Sequence, residues 1–284
     1  MNLALIHDHL IQSGGAERVL ETLATTWPDA PIFTLLYDKK EMGATFPEGR
    51  IRTSFLQRMP FALRKYQWML PLMPAATEQY DLRGFDIVLS NSSGFAKGVL
   101  TRPDTLHVCY CHTPTRYLWS ETHSYISELK NVPGILKKII PFFLKNIRMW
   151  DRAAADRVDR FIANSKTVQK RIQKYYQKES VVIYPPVDTQ KFSVSPTIDN
   201  YYVAGGRLVY YKKFDLIVEA FNRLGLPLII FGEGPMMNDL RKMAKENISF
   251  VGRVSDEERA KLYSRALAYI HPQEEDFGIT PVEA

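Results

Sequence analysis

The stretch YYVAGGRLVYYKKFDLIVEAFNRLGLPLIIFGEGPMMNDLRKMAKENISFVGRVSDEERAKLYSRALAYIH, residues 201–271, alternates two hydrophobic periods in strict turn. Short apolar runs at 201–204, 228–231, 248–251 and 267–271 read as strands, and amphipathic patterns at 214–223, 236–245 and 256–266 as helices. Strand and helix in alternation give a parallel sheet with helices on both faces, because a parallel crossover needs a connection of helix length. Ligands of open α/β sheets sit at the carboxyl ends of the strands. Here those ends carry Gly205-Gly206, Gly232-Glu233-Gly234 and Gly252, and small residues there leave room for an extended ligand such as a nucleotide. Its base would lie near Gly252, Arg253 and Val254.

Arg207 follows the first of these strand ends and Lys212 precedes the next helix, so both can converge on one place. A diphosphate leaving group gains negative charge as its bond to a sugar breaks, and fixed cations stabilise that charge more in the transition state than before it. A pair of solvated surface cations is the alternative reading.

Outward to the C-terminal side, EEDFGITPVEA (residues 274–284) sets Glu275 and Glu283 on either side of a helix start. Thr280 reads as the N-cap, Pro281 as the first helical residue and Glu283 as the third, completing a capping box. Glu275 then lies in the loop, where Gly278 lets the backbone come close to a ligand, and the free amides and positive dipole end of the helix that follows suit a phosphate. Such an arrangement grips a sugar nucleotide, unless Glu283 only caps its helix. A helix beginning at Thr280 has little more than one turn before Ala284 and is not stable by itself, so the chain is expected to be the front part of a longer protein.

Outward to the N-terminal side, Pro185-Pro186 within VVIYPPVDTQKF (residues 181–192) holds the backbone extended and marks an exit and a hinge. A length of 284 residues suits two domains, and the expected division is 1–184, a linker at 185–199, and 200–284. The first domain opens with a strand at 2–6, a polar loop ending in Gly14-Gly15 and an amphipathic helix from Ala16; further strands read at 85–90, 106–111 and 160–164. Gly14-Gly15 either turns amides toward an anion or makes a tight turn. His112, in CYCHTPTRYLW, follows a strand directly, where a histidine binds a sugar hydroxyl, moves a proton or serves the structure alone. His7 and His9 flank Asp8 without further metal-ligand spacing, and Cys109 and Cys111 share a strand face as buried reduced thiols.

The net charge of +6 and pI near 9.1 imply an anionic partner. The excess lies in two runs without Asp or Glu. In Gly49–Thr77, Arg50, Arg52, Arg58, Arg64 and Lys65 alternate with Phe55, Leu56, Phe61, Trp68, Met69 and Leu70; in Lys130–Trp150, Lys137, Lys138, Lys145 and Arg148 sit among Ile139, Ile140, Phe142, Phe143 and Leu144. The mixture suits an anionic bilayer surface, and it equally suits a helix pair with apolar core faces and solvated lysines. Both runs read as insertions between strands. No nucleic-acid-binding motif is present, so nucleic acid is not expected as a partner. No run is apolar over the ~18 residues a spanning helix needs, and a signal peptide is lacking, which predicts a cytosolic protein.

In order, GGAER at Gly14, the HTP tripeptide at His112, IANS ending at Ser165, YPPVD followed by Phe192, GGRL followed by Lys212, GEGP at Gly232 and the Glu275-x7-Glu283 pair resemble the retaining glycosyltransferases of family four. The likeness covers the whole chain and is greatest to bacterial GDP-mannose-dependent mannosyltransferases of polysaccharide assembly. It implies a GT-B fold of two Rossmann-like domains, the second incomplete here, with the active site in the cleft between them, no cofactor and no metal. It implies that Arg207 and Lys212 grip the donor diphosphate, Glu275 the transferred sugar and Glu283 the ribose. Gly206, Gly234, Gly252, Arg253, Val254 and backbone from Phe277 through Gly278 and Ile279 to Thr280 would meet the donor. Gly14 and Gly15 would close on it, and His112 would line the acceptor side. The expected partners are a nucleotide sugar, a glycan or lipid-linked glycan acceptor and an anionic membrane surface. A UDP-sugar donor keeps the same fold, and a non-catalytic peripheral membrane protein is the reading from another class.

Overall fold

The computed structural model describes residues 1–128 and 133–284; Lys130, at the head of the second basic run, lies outside them. The chain forms two compact units, Met1–Pro186 and Val187–Ala284.

In chain order the first unit comprises β1 (Leu3–His7), α1 (Gly15–Thr26), β2 (Ile32–Thr34), α2 (Lys39–Met42), β3 (Ile51–Thr53), α3 (Met73–Glu78), β4 (Ile87–Ser92), β5 (Leu106–Cys111), α4 (Arg116–Trp119), α5 (Thr122–Glu128), α6 (Gly134–Asp156), β6 (Arg160–Ala163), α7 (Lys166–Tyr176) and β7 (Ser180–Val182). Its seven strands lie in the order β3-β2-β1-β4-β5-β6-β7, all parallel. The order reverses between β1 and β4, the kind of switch point at which such sheets hold ligands. Strands buried on both faces are nearly all apolar: Ala4, Ile6 and Val88 pack on one side, Leu5, Leu89 and Tyr110 on the other. Cys109 and Cys111 are buried free thiols against Phe161, Ala163, Ile172 and Tyr176.

Two expectations need correcting here. The first basic run is not wholly an insertion, since Ile51–Thr53 is the edge strand β3. Arg50 is spent on structure as well: its guanidinium donates to the carbonyls of Ala24 (3.2 Å), Trp27 (2.8 Å) and Ala30 (3.1 Å), which satisfies orphaned groups at the end of α1. Val181 and Val182 belong to β7 and not to the exit.

The second unit comprises β8 (Tyr202–Gly205), α8 (Phe214–Leu224), β9 (Leu228–Phe231), α9 (Met237–Met243), β10 (Ile248–Gly252), α10 (Asp256–Arg265), β11 (Ala268–Tyr269) and α11 (Ile279–Glu283). Its parallel sheet runs β10-β9-β8-β11. Residues 187–199 cluster with this unit, through Lys191 to Asp256 (3.5 Å), Phe192 beside Tyr263 and Arg265 to Asp199 (2.8 Å).

Candidate active site

In the second unit the loop after β8 and the loop before α11 meet. Lys212 Nζ lies 3.1 Å from Glu275 Oε1, with only 13% and 20% of the two side chains exposed. Gly206, at φ +131°, makes space for this ammonium: a Cβ there would lie 3.3 Å from Lys212 Nζ. Gln273 donates to Glu275 Oε1 at 3.3 Å. His271 sits in the same field; burial holds its pKa below the ordinary value, with the Glu275 charge opposing and the Lys212 charge assisting. Neither His271 nor Gln273 stands out in the sequence, although both fall in HPQEED directly ahead of the loop acid. Arg207 is exposed, and among the described residues its hydrogen bond goes to the Tyr211 hydroxyl at 3.4 Å. It shares a loop with Lys212 and does not join the Lys212–Glu275 pair.

The start of α11 differs from expectation. The N-cap is Gly278, at φ +83°, and no side chain caps the helix. Thr280 lies inside it, and the expected capping box with Glu283 does not form. The capping box of this unit is Ser255–Glu258 at α10, where Ser255 Oγ accepts from Glu258 N (3.1 Å) and Glu258 Oε2 from Ser255 N (2.7 Å). Glu283 is instead drawn inward: its side chain is 1% exposed and its Oε2 lies 3.2 Å from Arg259 Nε. A buried carboxylate requires such a cation.

Of the other residues, Arg253 is exposed, Val254 packs beside Val203, Phe231 and Tyr263, and Phe277 and Ile279 are half-buried. The glycines have separate reasons. A Cβ on Gly234 would lie 2.4 Å from Leu208 O and one on Gly232 1.9 Å from Gly206 O, so these two allow backbone to pass backbone; Gly252, at φ +74°, faces open space.

In the first unit the parallel register puts His7 of β1 beside Asn91 of β4, and His112 N bonds Ser92 O at 2.9 Å just beyond β5. Three strand tips thus meet at the switch point. His112 is buried, with its Nε2 2.7 Å from Asn91 Oδ1. Burial, with the nearby His7 charge, lowers its pKa to about 4, so it is neutral at pH 7. His7 Nε2 lies 3.2 Å from Glu17 Oε1. Burial opposes charge on His7, but the Glu17 hydrogen bond and the charges of Glu17 and Asp8 prevail and its pKa is raised. Gly14 is the extended N-cap of α1 and Gly15 its first residue; a Cβ on Gly14 would come within 3.0 Å of Glu17 Oε2. Asp8 accepts from the backbone amides of Ser93, Phe95 and Ala96 at 2.6–2.7 Å, a structural use. Among the described residues no three His, Cys, Asp or Glu side chains gather as metal ligands.

Comparison with known proteins agrees with both units. Residues 13–191 match Glycosyltransferase Family 4 and residues 186–284 match Glycosyl transferases group 1. O-antigen chain mannosyltransferase C of Escherichia coli is 29% identical over 43% of this chain and 36% of its own length. O-antigen chain mannosyltransferase RfbU of Salmonella typhimurium is 27% identical over 57% of this chain and 52% of its own. The matched stretches thus span about a third to a half of these relatives. The crystal structure of Anabaena Alr3699/HepE in complex with UDP and glucose superposes with a TM-score of 0.69 at 17% identity, covering 100% of this chain and 78% of that one. The crystal structure of TarM gives 0.64 at 10% identity, covering 100% and 82%. These likenesses show the GT-B fold of two Rossmann-like units. On a family match that spans more than half its length, the chain belongs to Glycosyltransferase Family 4.

Proposed function

We propose that the protein is a retaining hexosyltransferase that moves mannose from GDP-mannose to a lipid-linked or membrane-proximal glycan acceptor at the cytosolic face of a membrane. The observation that carries this reading is the Lys212–Glu275 pair at the carboxyl ends of the second sheet. Its cation suits a diphosphate and its acid suits the hydroxyls of the sugar attached to that diphosphate. Arg207 supplies the second cation. Glu283 meets the ribose once a ligand takes over part of its pairing with Arg259.

In the proposed reaction the acceptor oxygen bonds to the anomeric carbon while the bond from that carbon to the β-phosphate oxygen breaks on the same face. The hydroxyl proton passes to the departing phosphate, so neither a protein nucleophile nor a resident metal is needed. Mannose is favoured by the two O-antigen mannosyltransferase relatives. The acceptor class is favoured by the exposed aromatic residues of the first unit, Phe61, Trp68 and Phe142, at 68%, 75% and 63% exposure, set among exposed Arg58, Arg64, Lys65, Lys138 and Lys145. Among the described residues no helix is long and apolar enough to cross a membrane.

Titration calorimetry with GDP, UDP and ADP tests the donor. GDP is expected to bind at least about tenfold more tightly than the others. Preference for UDP, the nucleotide held by the HepE structure, replaces the donor and keeps the reaction class. Binding of none of the three sinks the reading.

A further inference from the structure

From Ala16 through Asn91 to His112, the hydrogen bonds at the switch point of the first sheet run in one direction. Asn91 Nδ2 lies 2.8 Å from the carbonyl of Ala16, a group that only accepts, which fixes the orientation of the amide. Asn91 Oδ1 therefore faces His112 Nε2 at 2.7 Å, and that nitrogen must carry the proton. His7 Nδ1 lies 3.0 Å from Asn91 Nδ2 and 3.2 Å from the Asn91 backbone carbonyl, and its Nε2 lies 3.2 Å from Glu17 Oε1, so the ring braces Asn91 whichever protons it carries. Burial keeps His112 uncharged at neutral pH, so one ring nitrogen is left as an acceptor. That nitrogen, Nδ1, has no hydrogen-bond partner among the described residues and is not enclosed away from solvent, unlike the Nδ1 atoms of His107 and His271.

We infer that Asn91, backed by His7 and Glu17, is a positioning residue that fixes His112 as its Nε2–H tautomer and turns Nδ1 outward to accept a hydrogen bond from a substrate hydroxyl. The inference rests on the proposed function for the hydroxyl and on the geometry alone for the tautomer. Asn91 touches no substrate in this account; it acts through the ring. Glu17 matters in the same way, by occupying the far nitrogen of His7. Gly14 leaves room for that carboxylate, since a Cβ there would come within 3.0 Å of Glu17 Oε2.

The test uses nitrogen-15 NMR of the histidine rings, with the His112 signal assigned by its loss in His112→Gln, together with steady-state kinetics. The wild-type protein should show His112 as the neutral Nε2–H form. In Asn91→Leu the ring should become a tautomer mixture, and kcat should fall by about tenfold to a hundredfold while the donor KM changes less than about twofold. Asn91→Asp, with a carboxylate beside Nε2, should raise the His112 pKa and shift the acid limb of the rate profile upward. Glu17→Gln, whose amide oxygen still accepts from His7, should retain most of the rate that Glu17→Ala loses, and these two variants decide the matter if Asn91→Leu fails to fold. A wild-type His112 protonated on Nδ1, or equal kcat in Glu17→Ala and Glu17→Gln, overturns the inference. The NMR arm needs no substrate, so failure to bind a nucleotide sinks the proposed function and leaves the tautomer result to decide the role of Asn91.

Discussion

The Lys212–Glu275 pair is mostly buried and is held by two separate loops, so removing its cation leaves a largely desolvated carboxylate without its partner. Both consequences are testable. Lys212→Met should lower the melting temperature and lower kcat by about a hundredfold, the order seen when one preorganised charge-stabilising donor is removed. Arg207→Ala, at an exposed side chain that hydrogen-bonds Tyr211, should change stability by less than about 0.5 kcal/mol while also lowering turnover. Equal rates for either variant in a sugar-transfer assay remove that residue from the diphosphate site. Lys212, Glu275 and the glycine before them were legible because their spacing from strand ends is local. Asn91, His7 and Glu17 were not legible, because the register between β1 and β4 brings together residues 84 positions apart in the chain. Glu283 was read as a cap because the local pattern fits one, and the competing partner Arg259 lies 24 positions away.

The strands β1, β4, β5 and β6 and the elements from β8 to β11 were legible to within about two residues, since each carries its own period; β2, β3 and β7 were not, because strands that short show no period. What the period hides is which apolar arc of an element is covered. The apolar arc of α6 is wider than its core contact: Leu144 and Ile147 are buried in the core with Met69 and Met73, while Ile139, Phe142, Phe143 and Met149 stay exposed. Only packing assigns the arcs. Of the cations, Arg148 donates to Leu118 O and to Thr122 Oγ1, and Arg50 to the end of α1, so both are structural. Lys138 and Lys145 are exposed, and a groove of about 300 Å³ lined by Pro71, Pro74, Phe143, Asn146, Ile147 and Trp150 joins α6 to the first basic run. If this face meets a membrane, Phe142→Ser with Trp68→Ser should weaken sedimentation with vesicles containing anionic lipid by about tenfold or more, with unchanged melting. Lys138→Glu with Lys145→Glu should act as strongly at low salt and less at high salt, since each cation near the surface contributes about 1 kcal/mol that salt screens. Undiminished vesicle binding in both double variants removes the membrane from this face.

At the scale of the whole molecule, the division into two units was legible from Pro185-Pro186 and the renewed alternation after it, while the attachment of residues 187–199 to the second unit rests on contacts to α10 that no local pattern announces. The units also differ in how acid reaches them. The first unit holds His107 and His112, each with its pKa lowered from 6.5 to about 4, chiefly by burial. Below pH 6.5 the unfolded chain therefore takes up protons that the folded unit refuses. Stability from these two groups is complete above about pH 6.5 and falls as the pH drops toward 4, by about 3 kcal/mol for each. His7 runs the other way, because its raised pKa adds stability at acid pH that is lost as the pH rises through that value, and it offsets part of the loss. Glu17, with its pKa lowered by the His7 hydrogen bond against the effect of burial, adds to the acid loss as the pH falls from the ordinary glutamate value through the lowered one. All four tryptophans, Trp27, Trp68, Trp119 and Trp150, lie in the first unit, so tryptophan fluorescence reports its unfolding alone. Its melting midpoint should fall between pH 6.5 and 4.5. His107→Gln keeps a partner for Ser90, which lies 2.9 Å from His107 Nε2, and does not titrate, so it should flatten that fall. An equal slope in wild type and His107→Gln would show that this imidazole takes up its proton as readily folded as unfolded, and the burial argument for the acid sensitivity of the first unit would be lost.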